Sequence, residues 1–259
     1  MDQLGKTGLA LGGGGAKGFA HIGVIRALEE YNIPVHKVAG TSMGAIIGVL
    51  YCAGYDAKQI HKLLKEEKVW NWFNLDLLSG GLVNLNGVKE ALEKQVGHDD
   101  FSRLKKPFCV VASNMNTGKV KMVSDGNQLF EWVIASSSVP VAFKPAIIDG
   151  HTYVDGGLFM NLPVEPLMFD CDTVIGSSVV TDRKTESFKS AKEVAERVFN
   201  LTILQNQRPS RLHCDLYIEP EKISDYSMWD FNKLDEIIEL GYKTAKKKID
   251  NELLPLVKD

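Results

Sequence analysis

The chain has 259 residues, of which 44% are hydrophobic and 24% charged, and its formal net charge is −3. This composition is too apolar for a disordered chain and is sufficient for one large hydrophobic core. The small negative charge and the lack of a basic stripe argue against nucleic-acid binding. We expect one domain over residues 1–259, because no repeat, low-complexity segment or linker composition interrupts the sequence.

The N-terminus and the cysteines bear on the location of the protein. Residues 1–6 lack a basic segment followed by an apolar stretch, so nothing there indicates export. The four cysteines lie far apart, without the spacing of a zinc site, and are predicted to be reduced thiols. The longest apolar run, residues 45–53, is about half the length that a bilayer crossing needs. We therefore expect a cytoplasmic protein whose contact with a membrane is at most peripheral.

The first part of the chain predicts two successive strand-loop-helix units. The predicted elements are a strand at 9–11, a helix at 19–30, a strand at 35–39 and a helix at 45–53. Such a unit forms a pair of parallel strands with a right-handed crossover, so both strand-to-helix loops lie at the carboxyl edge of the sheet. We therefore expect the two glycine-rich loops, residues 12–18 and 40–44, to be neighbours.

The rest of the chain continues the alternation of strands and helices. Residues 55–96 show a helical pattern with a break at 79–81. The later predicted elements are strands at 108–113 and 120–123, a helix at 130–136, a hairpin at 146–154, a strand at 173–180 and helices at 190–207 and 234–251. This order predicts an α/β fold.

The loop Gly40-Thr-Ser42-Met-Gly44 has the spacing of a nucleophile elbow. Its glycines permit a tight turn, which would raise Ser42 above the sheet at the N-terminus of a helix. The helix dipole and free backbone N–H groups there favour the negative charge that develops in acyl transfer. The alternative is a turn of small residues in which Thr41 or Ser42 only caps the helix.

The loop at residues 12–18, Gly-Gly-Gly-Gly-Ala-Lys-Gly, presents unobstructed N–H groups and could form an oxyanion hole beside Ser42. A nucleotide-binding loop is the competing interpretation, because Gly13, Gly15 and Gly18 match the pattern of a dinucleotide site. However, no acidic residue ends the second predicted strand, and Gly18 follows Lys17 where a phosphate loop needs Ser or Thr. Nucleotide binding is therefore disfavoured.

An activated serine needs a base, and Asp155 is the better candidate for it. On its own, Asp-Gly indicates a hairpin turn, but Asp149-Gly150 already supplies that turn, so Asp155 falls at the end of the returning strand. A triad of Ser42, Asp155 and His213 could also be composed in that order, although no local motif supports it.

Four segments, taken together and in order, resemble the patatin-like phospholipase family over roughly residues 8–166. They are Gly-Gly-Gly-Ala-Lys-Gly at 13–18, Gly-Thr-Ser-Met-Gly at 40–44, Ala-Ser-Ser-Ser-Val-Pro at 135–140 with Phe-Lys-Pro at 143–145, and Asp-Gly-Gly at 155–157. The resemblance implies a three-layer α/β fold with a central, mostly parallel sheet flanked by helices. It also implies a hydrolase for fatty acyl esters of lysophospholipids, phospholipids or related lipids, without a metal or other cofactor.

The same resemblance assigns roles to individual residues. Ser42 becomes the nucleophile, Asp155 its base in a dyad without histidine, and the amides of Gly13, Gly14 and Gly15 the oxyanion donors. Lys17 stands in the place of the family's basic residue. The motif is completed by Gly18, Gly40, Gly44, Gly156 and Gly157. The implied reaction has two steps: Ser42 attacks the ester carbonyl, and water activated by Asp155 then releases the fatty acid.

Two other functions and two surface features stay open at this stage. The chain could be a carboxylesterase or thioesterase for soluble acyl compounds, or a non-catalytic regulatory protein that binds acyl lipid. Residues 69–78 could form an apolar lip that contacts lipid, although core packing is favoured. Lys246-Lys-Lys248 could attract anionic lipid, although a solvated helix face is favoured. The oligomeric state is not predicted.

Overall fold

A mostly parallel sheet forms the centre of the computed structural model, which describes residues 4–73, 83–182 and 187–255. Its strands are β1 (Thr7–Leu11), β2 (Lys37–Gly40), β3 (Phe108–Asn114), β4 (Lys119–Val123), β5 (Ala146–Ile148), β6 (His151–Asp155), β7 (Thr173–Ser177) and β8 (Leu216–Ile218). The helices are α1 (Ala20–Glu30), α2 (Met43–Ala53), α3 (Ala57–Glu66), α4 (Asn86–Val96), α5 (Leu129–Ser137), α6 (Ala191–Arg211) and α7 (Leu234–Lys248).

The strand order is β5-β6-β3-β2-β1-β7-β8, and β4 pairs with β3 beside this path. Strands β3, β2, β1, β7 and β8 are parallel, whereas β4, β5 and β6 pair antiparallel with their neighbours. The carboxyl ends of three strands meet at one level, because Leu11 pairs with both Gly40 and Ser177. The chain leaves this edge in two adjacent loops, since Thr41 N–H donates to Leu11 O and Gly12 N–H to Ser177 O, each at 3.0 Å.

The side chains of the strands belong to two buried clusters, because successive residues of a strand point to opposite faces of the sheet. The larger cluster packs against the helices and contains Leu9, Leu11, Val38, Phe108, Val110 and Ile175. The smaller one contains Ala10, Ala39, Cys109 and Val174, and is covered by Leu162, Val164 and Leu167 from an irregular segment after β6. Helix α6 lies beside this segment, where Ser210 Oγ donates to Glu165 Oε1 at 3.1 Å. The sheet thus has cover on both faces.

The predicted α/β fold with a central, mostly parallel sheet flanked by helices is confirmed. The predicted hairpin tip at Asp149-Gly150 is also confirmed, since both residues have positive φ, as a two-residue hairpin turn requires. Strand β8 was not predicted, because three residues are too few to show a period. The helical pattern at 55–96 corresponds to α3 and α4, whereas its expected break at 79–81 lies outside the described residues. Within the described ranges, no helix has the length and apolar character needed to cross a bilayer.

Candidate active site

Ser42 occupies a strained turn between β2 and α2. Its backbone has φ +56° and ψ −125°, a conformation that non-glycine residues rarely adopt, and its side chain is buried with 6% exposure. The N–H group of Ser42 donates to Ser136 Oγ at 2.9 Å, which ties the turn to α5. Strain of this kind persists only where the surroundings hold it and is concentrated at functional sites.

The glycines on either side of Ser42 are required by close backbone contacts. A Cβ atom at Gly40 would lie 2.6 Å from Gly44 O and 2.7 Å from Ala45 Cα. A Cβ atom at Gly44 would overlap Leu11 O and lie 2.7 Å from Gly12 O. Because these neighbours are backbone atoms, they cannot rotate away. The Gly-x-Ser-x-Gly spacing therefore lets α2 begin directly against the end of β1.

We expect Gly44→Ala to lower the free energy of unfolding by about 2 kcal/mol or more, the usual cost of forcing a methyl group into a packed site. Urea denaturation followed by circular dichroism measures it. Gly97→Ala is the matched control: Gly97 has φ +76° but no atom within 4 Å of its added Cβ, so only backbone strain of about 1 kcal/mol is introduced. Equal losses in the two variants would contradict the steric explanation.

The glycine loop after β1 lies directly against Ser42. A Cβ atom at Gly13 would lie 2.9 Å from Ser42 Cβ, so the loop and the serine are in close contact. No residue in the described ranges accepts a hydrogen bond from the N–H groups of Gly13, Gly14 or Gly15, whereas Ala16 N–H donates to Met228 O at 2.9 Å. These amides and Ser42 border the same cavity. An anion at Ser42 would therefore meet unpaired donors.

His21 binds the backbone at the start of this loop. Its ring is fully buried, with Nε2 at 2.7 Å from Gly12 O and Nδ1 at 2.8 Å from Ser177 Oγ. Because a carbonyl oxygen can only accept, Nε2 carries the proton and the Ser177 hydroxyl donates to Nδ1. Burial lowers the pKa of His21 to about 4, against the opposing effect of the hydrogen bond to Gly12. The ring is therefore neutral at pH 7 and fixes the peptide that joins Gly12 to Gly13.

Asp155 ends β6 and faces the same cavity with an exposure of 1%. Its Oδ1 accepts from Gly157 N–H at 2.7 Å, whereas its Oδ2 has no hydrogen-bond partner in the described part of the chain. Burial raises the pKa of Asp155 to about 7, partly offset by the nearby Ser42 side chain and by the Gly157 amide. The Ser42 hydroxyl is thus close enough to affect this carboxyl without completing a hydrogen bond to Oδ2. Such a carboxyl can exchange a proton near neutral pH.

Four residues assigned from the motifs remain, and they occupy different places in the site. Lys17 lines the cavity and the surface groove that adjoins it, and burial lowers the pKa of Lys17 to about 8. Gly18 and Gly156 support the walls instead: a Cβ atom at Gly18 would meet the Met43 side chain, and one at Gly156 would overlap Val111 O. Gly157 contributes the N–H donor to Asp155.

Several cavity residues were not identified from the sequence. Asn161, in the loop after β6, lines the cavity with Ser42 and Asp155, and Phe199 and Ile203 reach it from one face of α6. No local pattern marked Asn161, although the spacing of Phe199 and Ile203 is that of one helix face. A second, apolar cavity also begins at Ser42; its other lining includes Ile46, Phe73, Phe143, Met228, Trp229 and Phe231.

The structure also places the residues of the histidine alternative and of the two surface features. Among the described residues, no histidine lines the cavity that holds Ser42 and Asp155, and His213 is exposed elsewhere.

In the segment 69–78, Trp72 and Phe73 belong to the core, whereas residues 74–78 lie outside the described ranges. Lys246 pairs with Glu30 at 2.6 Å and Lys248 with Glu252 at 2.5 Å, as on an ordinary solvated helix face. The described residues include no cluster of three or more His, Cys, Asp or Glu side chains suited to a metal ion.

Two solved structures of bacterial proteins have folds similar to that of this chain. VipD from Legionella pneumophila superposes with a TM-score of 0.56 at 16% identity, over 95% of this chain and 67% of VipD. ExoU, in its heterodimeric complex with SpcU from Pseudomonas aeruginosa, gives a TM-score of 0.51 at 14% identity, over 96% of this chain and 52% of ExoU. At these identities the similarity shows the fold alone.

Sequence comparisons identify the family. Lysophospholipase nte1 of Neurospora crassa is 27% identical over 290 aligned residues, which cover 98% of this chain and 19% of the relative. An uncharacterised NTE family protein of Mycobacterium tuberculosis is 32% identical over 164 residues, covering 62% of this chain and 45% of that protein. This chain thus spans less than half the length of either relative. The family description "Patatin-like phospholipase" matches residues 9–168, more than half of the sequence, and the chain belongs to the patatin-like phospholipase family.

Proposed function

We propose that this protein is a serine acyl hydrolase that cleaves fatty acyl esters of lysophospholipids or related lipids with a dyad of Ser42 and Asp155. The observation that carries the proposal is one shared cavity. It is lined by a strained serine at a helix N-terminus, by a buried carboxyl and by the glycines of residues 13–15, and neither one carboxyl oxygen nor the glycine amides have a partner among the described residues. A nucleophile, a base and oxyanion donors are the three parts that acyl transfer needs.

The first step forms an ester between Ser42 and the fatty acid. Asp155, as the carboxylate, accepts the hydroxyl proton of Ser42 while Oγ attacks the ester carbonyl. The amides of residues 13–15 donate to the oxyanion, and the dipole of α2 adds to this stabilisation. The tetrahedral intermediate then expels the alcohol, which takes the proton from Asp155. Water completes the cycle by releasing the fatty acid and restoring Ser42.

The apolar lining of the cavity beside Ser42 supports an acyl chain as the group that is bound; the cavity has a volume of only about 20 Å³ in this structure, so its side chains must move apart to admit the chain. Ile46 lies one turn after Ser42 on α2 and faces the same space, and Phe73, Phe143 and Phe231 are each only 4% exposed. Each methylene group buried there contributes about 0.8 kcal/mol. The printed name of the Neurospora relative, a lysophospholipase, supports a lipid with a single acyl chain as the substrate.

Hydrolysis assays with the wild-type chain test this function. We expect turnover of lysophosphatidylcholine and of p-nitrophenyl esters, with kcat/KM rising from acetate to longer acyl chains. A preference for acetate and for short acyl thioesters would favour the alternative of a soluble esterase or thioesterase. Acyl-lipid binding without turnover would instead indicate a regulatory protein. A single domain over residues 1–259 and a cytoplasmic location stay predictions.

Filling the apolar cavity should change the chain-length preference. We expect Ile46→Phe to lower kcat/KM for p-nitrophenyl dodecanoate by on the order of tenfold and to leave the acetate ester nearly unchanged, because only the long chain needs the space. Ile46→Val is the matched control at the same position and should keep the long-chain preference. An equal loss on both esters with Ile46→Phe would mean that the acyl chain binds elsewhere.

A further inference from the structure

Two buried oxygen atoms in the cavity that holds Ser42 accept no hydrogen bond from any residue of the described ranges. One is Oδ2 of Asp155, and the other is Oδ1 of Asn161, whose side chain is fully buried. Leaving such an acceptor unsatisfied costs about 1–3 kcal/mol, so each marks a place where a donor is expected. The proposed acylation step gives Asn161 no role.

The orientation of the Asn161 amide follows from its neighbours. Its Nδ2 faces Gly13 O at 3.4 Å and Gln207 Oε1 at 3.3 Å, and both of these atoms are acceptors toward it. Gln207 is itself oriented, because its Nε2 donates to Val180 O at 2.8 Å. A flipped Asn161 amide would place oxygen against oxygen, so the atom that has no partner among the described residues is the oxygen Oδ1.

The position of Oδ1 is central to the site. A Cβ atom added at Gly13 would lie 2.8 Å from Asn161 Oδ1 and 2.9 Å from Ser42 Cβ. A Cβ atom added at Gly157 would lie 3.0 Å from Asn161 Oδ1 and 2.9 Å from Asp155 Oδ1. Asn161 Oδ1 is therefore within about 6 Å of both Ser42 Cβ and Asp155 Oδ1. The cavity they share has room for about one water molecule.

We propose that Asn161 Oδ1 and Asp155 Oδ2 together hold the water that hydrolyses the acyl-enzyme, which makes Asn161 a catalytic residue for the second step. This inference rests on the proposed function. One proton of the water is donated to each oxygen, and the water oxygen attacks the acyl carbonyl. The proton shared with Asp155 moves to that carboxylate, the bond to Ser42 Oγ breaks, and Oγ takes the proton. The products are the free fatty acid and the restored serine.

Competition between water and methanol tests this role. Methanol has one hydroxyl proton, which goes to Asp155, so it does not need Asn161. We expect Asn161→Ala to raise the ratio of methyl ester to fatty acid formed from p-nitrophenyl octanoate about three- to tenfold, which corresponds to one lost hydrogen bond. The product ratio is measured by chromatography and does not depend on which step limits the overall rate. Asn161→Ser, which also lacks Oδ1, is the second variant in case alanine impairs folding.

Ser178→Ala is the matched control, because the Ser178 hydroxyl donates to Gln207 Oε1 at 3.2 Å in the same buried polar cluster but does not line the cavity. Its product ratio should equal that of the wild type. An unchanged ratio in folded Asn161→Ala or Asn161→Ser would overturn the inference, whatever the total rate. A wild-type chain that turns over no ester would contradict the proposed function itself and, with it, the role of Asn161.

Discussion

Ser42→Ala is expected to lower kcat for p-nitrophenyl esters and lysophosphatidylcholine by a factor on the order of 10⁴ or more. Removal of the nucleophile from a serine hydrolase leaves only the contribution of the oxyanion donors and of substrate binding. The variant should also fail to react with an alkyl fluorophosphonate, which labels an activated serine and is detected by intact-protein mass spectrometry. Initial rates and labelling are two independent tests of whether the Ser42 hydroxyl is the nucleophile.

Two control variants accompany Ser42→Ala: a glycine at the same position and the removal of a neighbouring serine hydroxyl. Ser42 has φ +56°, where glycine is unstrained, so Ser42→Gly should be inactive yet more stable than the wild type by about 1 kcal/mol. Ser138→Ala removes a buried hydroxyl that donates to Ile134 O at 2.9 Å, outside the cavity, and should keep its activity. Residual turnover above a tenth of the wild-type rate in folded Ser42→Ala would exclude Ser42 as the nucleophile.

Asp155→Asn is expected to lower kcat by about 10² to 10⁴, the usual contribution of a general base. In the wild type, kcat/KM should fall about tenfold per pH unit below pH 7, because burial raises the pKa of Asp155 to about 7 and only the carboxylate can accept the Ser42 proton. The remaining activity of Asp155→Asn should not show this fall below pH 7. Rates are measured from pH 5 to pH 9. If kcat/KM of the variant still falls below pH 7, the titrating group is not Asp155.

The same pKa predicts the effect of Asp155 on stability. In the unfolded chain this carboxyl ionises near its ordinary pKa of 3.8, whereas in the folded chain it ionises at about 7. The folded state therefore binds more protons between these pH values, and the free energy of unfolding falls as the pH rises, by up to about 4 kcal/mol. Asp155→Asn removes this cost and should be more stable than the wild type at pH 8. A loss of activity in the variant would then not be due to unfolding.

Much of the fold and of the site could be predicted from local patterns. The strand-to-helix loops at 12–18 and 40–44 were expected to be neighbours because parallel strands end at the same edge of a sheet, and Leu11 is indeed paired with Gly40. The Asp149-Gly150 turn was identifiable for a similar reason, since few residues other than glycine, asparagine and aspartate accept positive φ. These features depend on short segments with strict backbone requirements.

Features that depend on long-range contacts could not be predicted. Asn161 has no sequence signal, because its role depends on a cavity whose lining includes the glycine loop and Ser42, which are more than a hundred positions away along the chain. The neutral state of His21 follows from burial between Gly12 and Ser177, and only the packed structure shows that burial. The contribution of α6 to the cavity wall, through Phe199 and Ile203, likewise requires the tertiary arrangement.

The sequence by itself determined the chemistry that is available: a serine between glycines, a glycine loop with free amides, and an aspartate at the end of a strand. The tertiary structure alone decided the electrostatics. The raised pKa of Asp155, the unpaired Oδ2 and the apolar cavity beside Ser42 arise from the exclusion of water by packed residues that are distant in sequence. Backbone geometry is a local property of a few residues, whereas desolvation is a collective property of all the residues around a group.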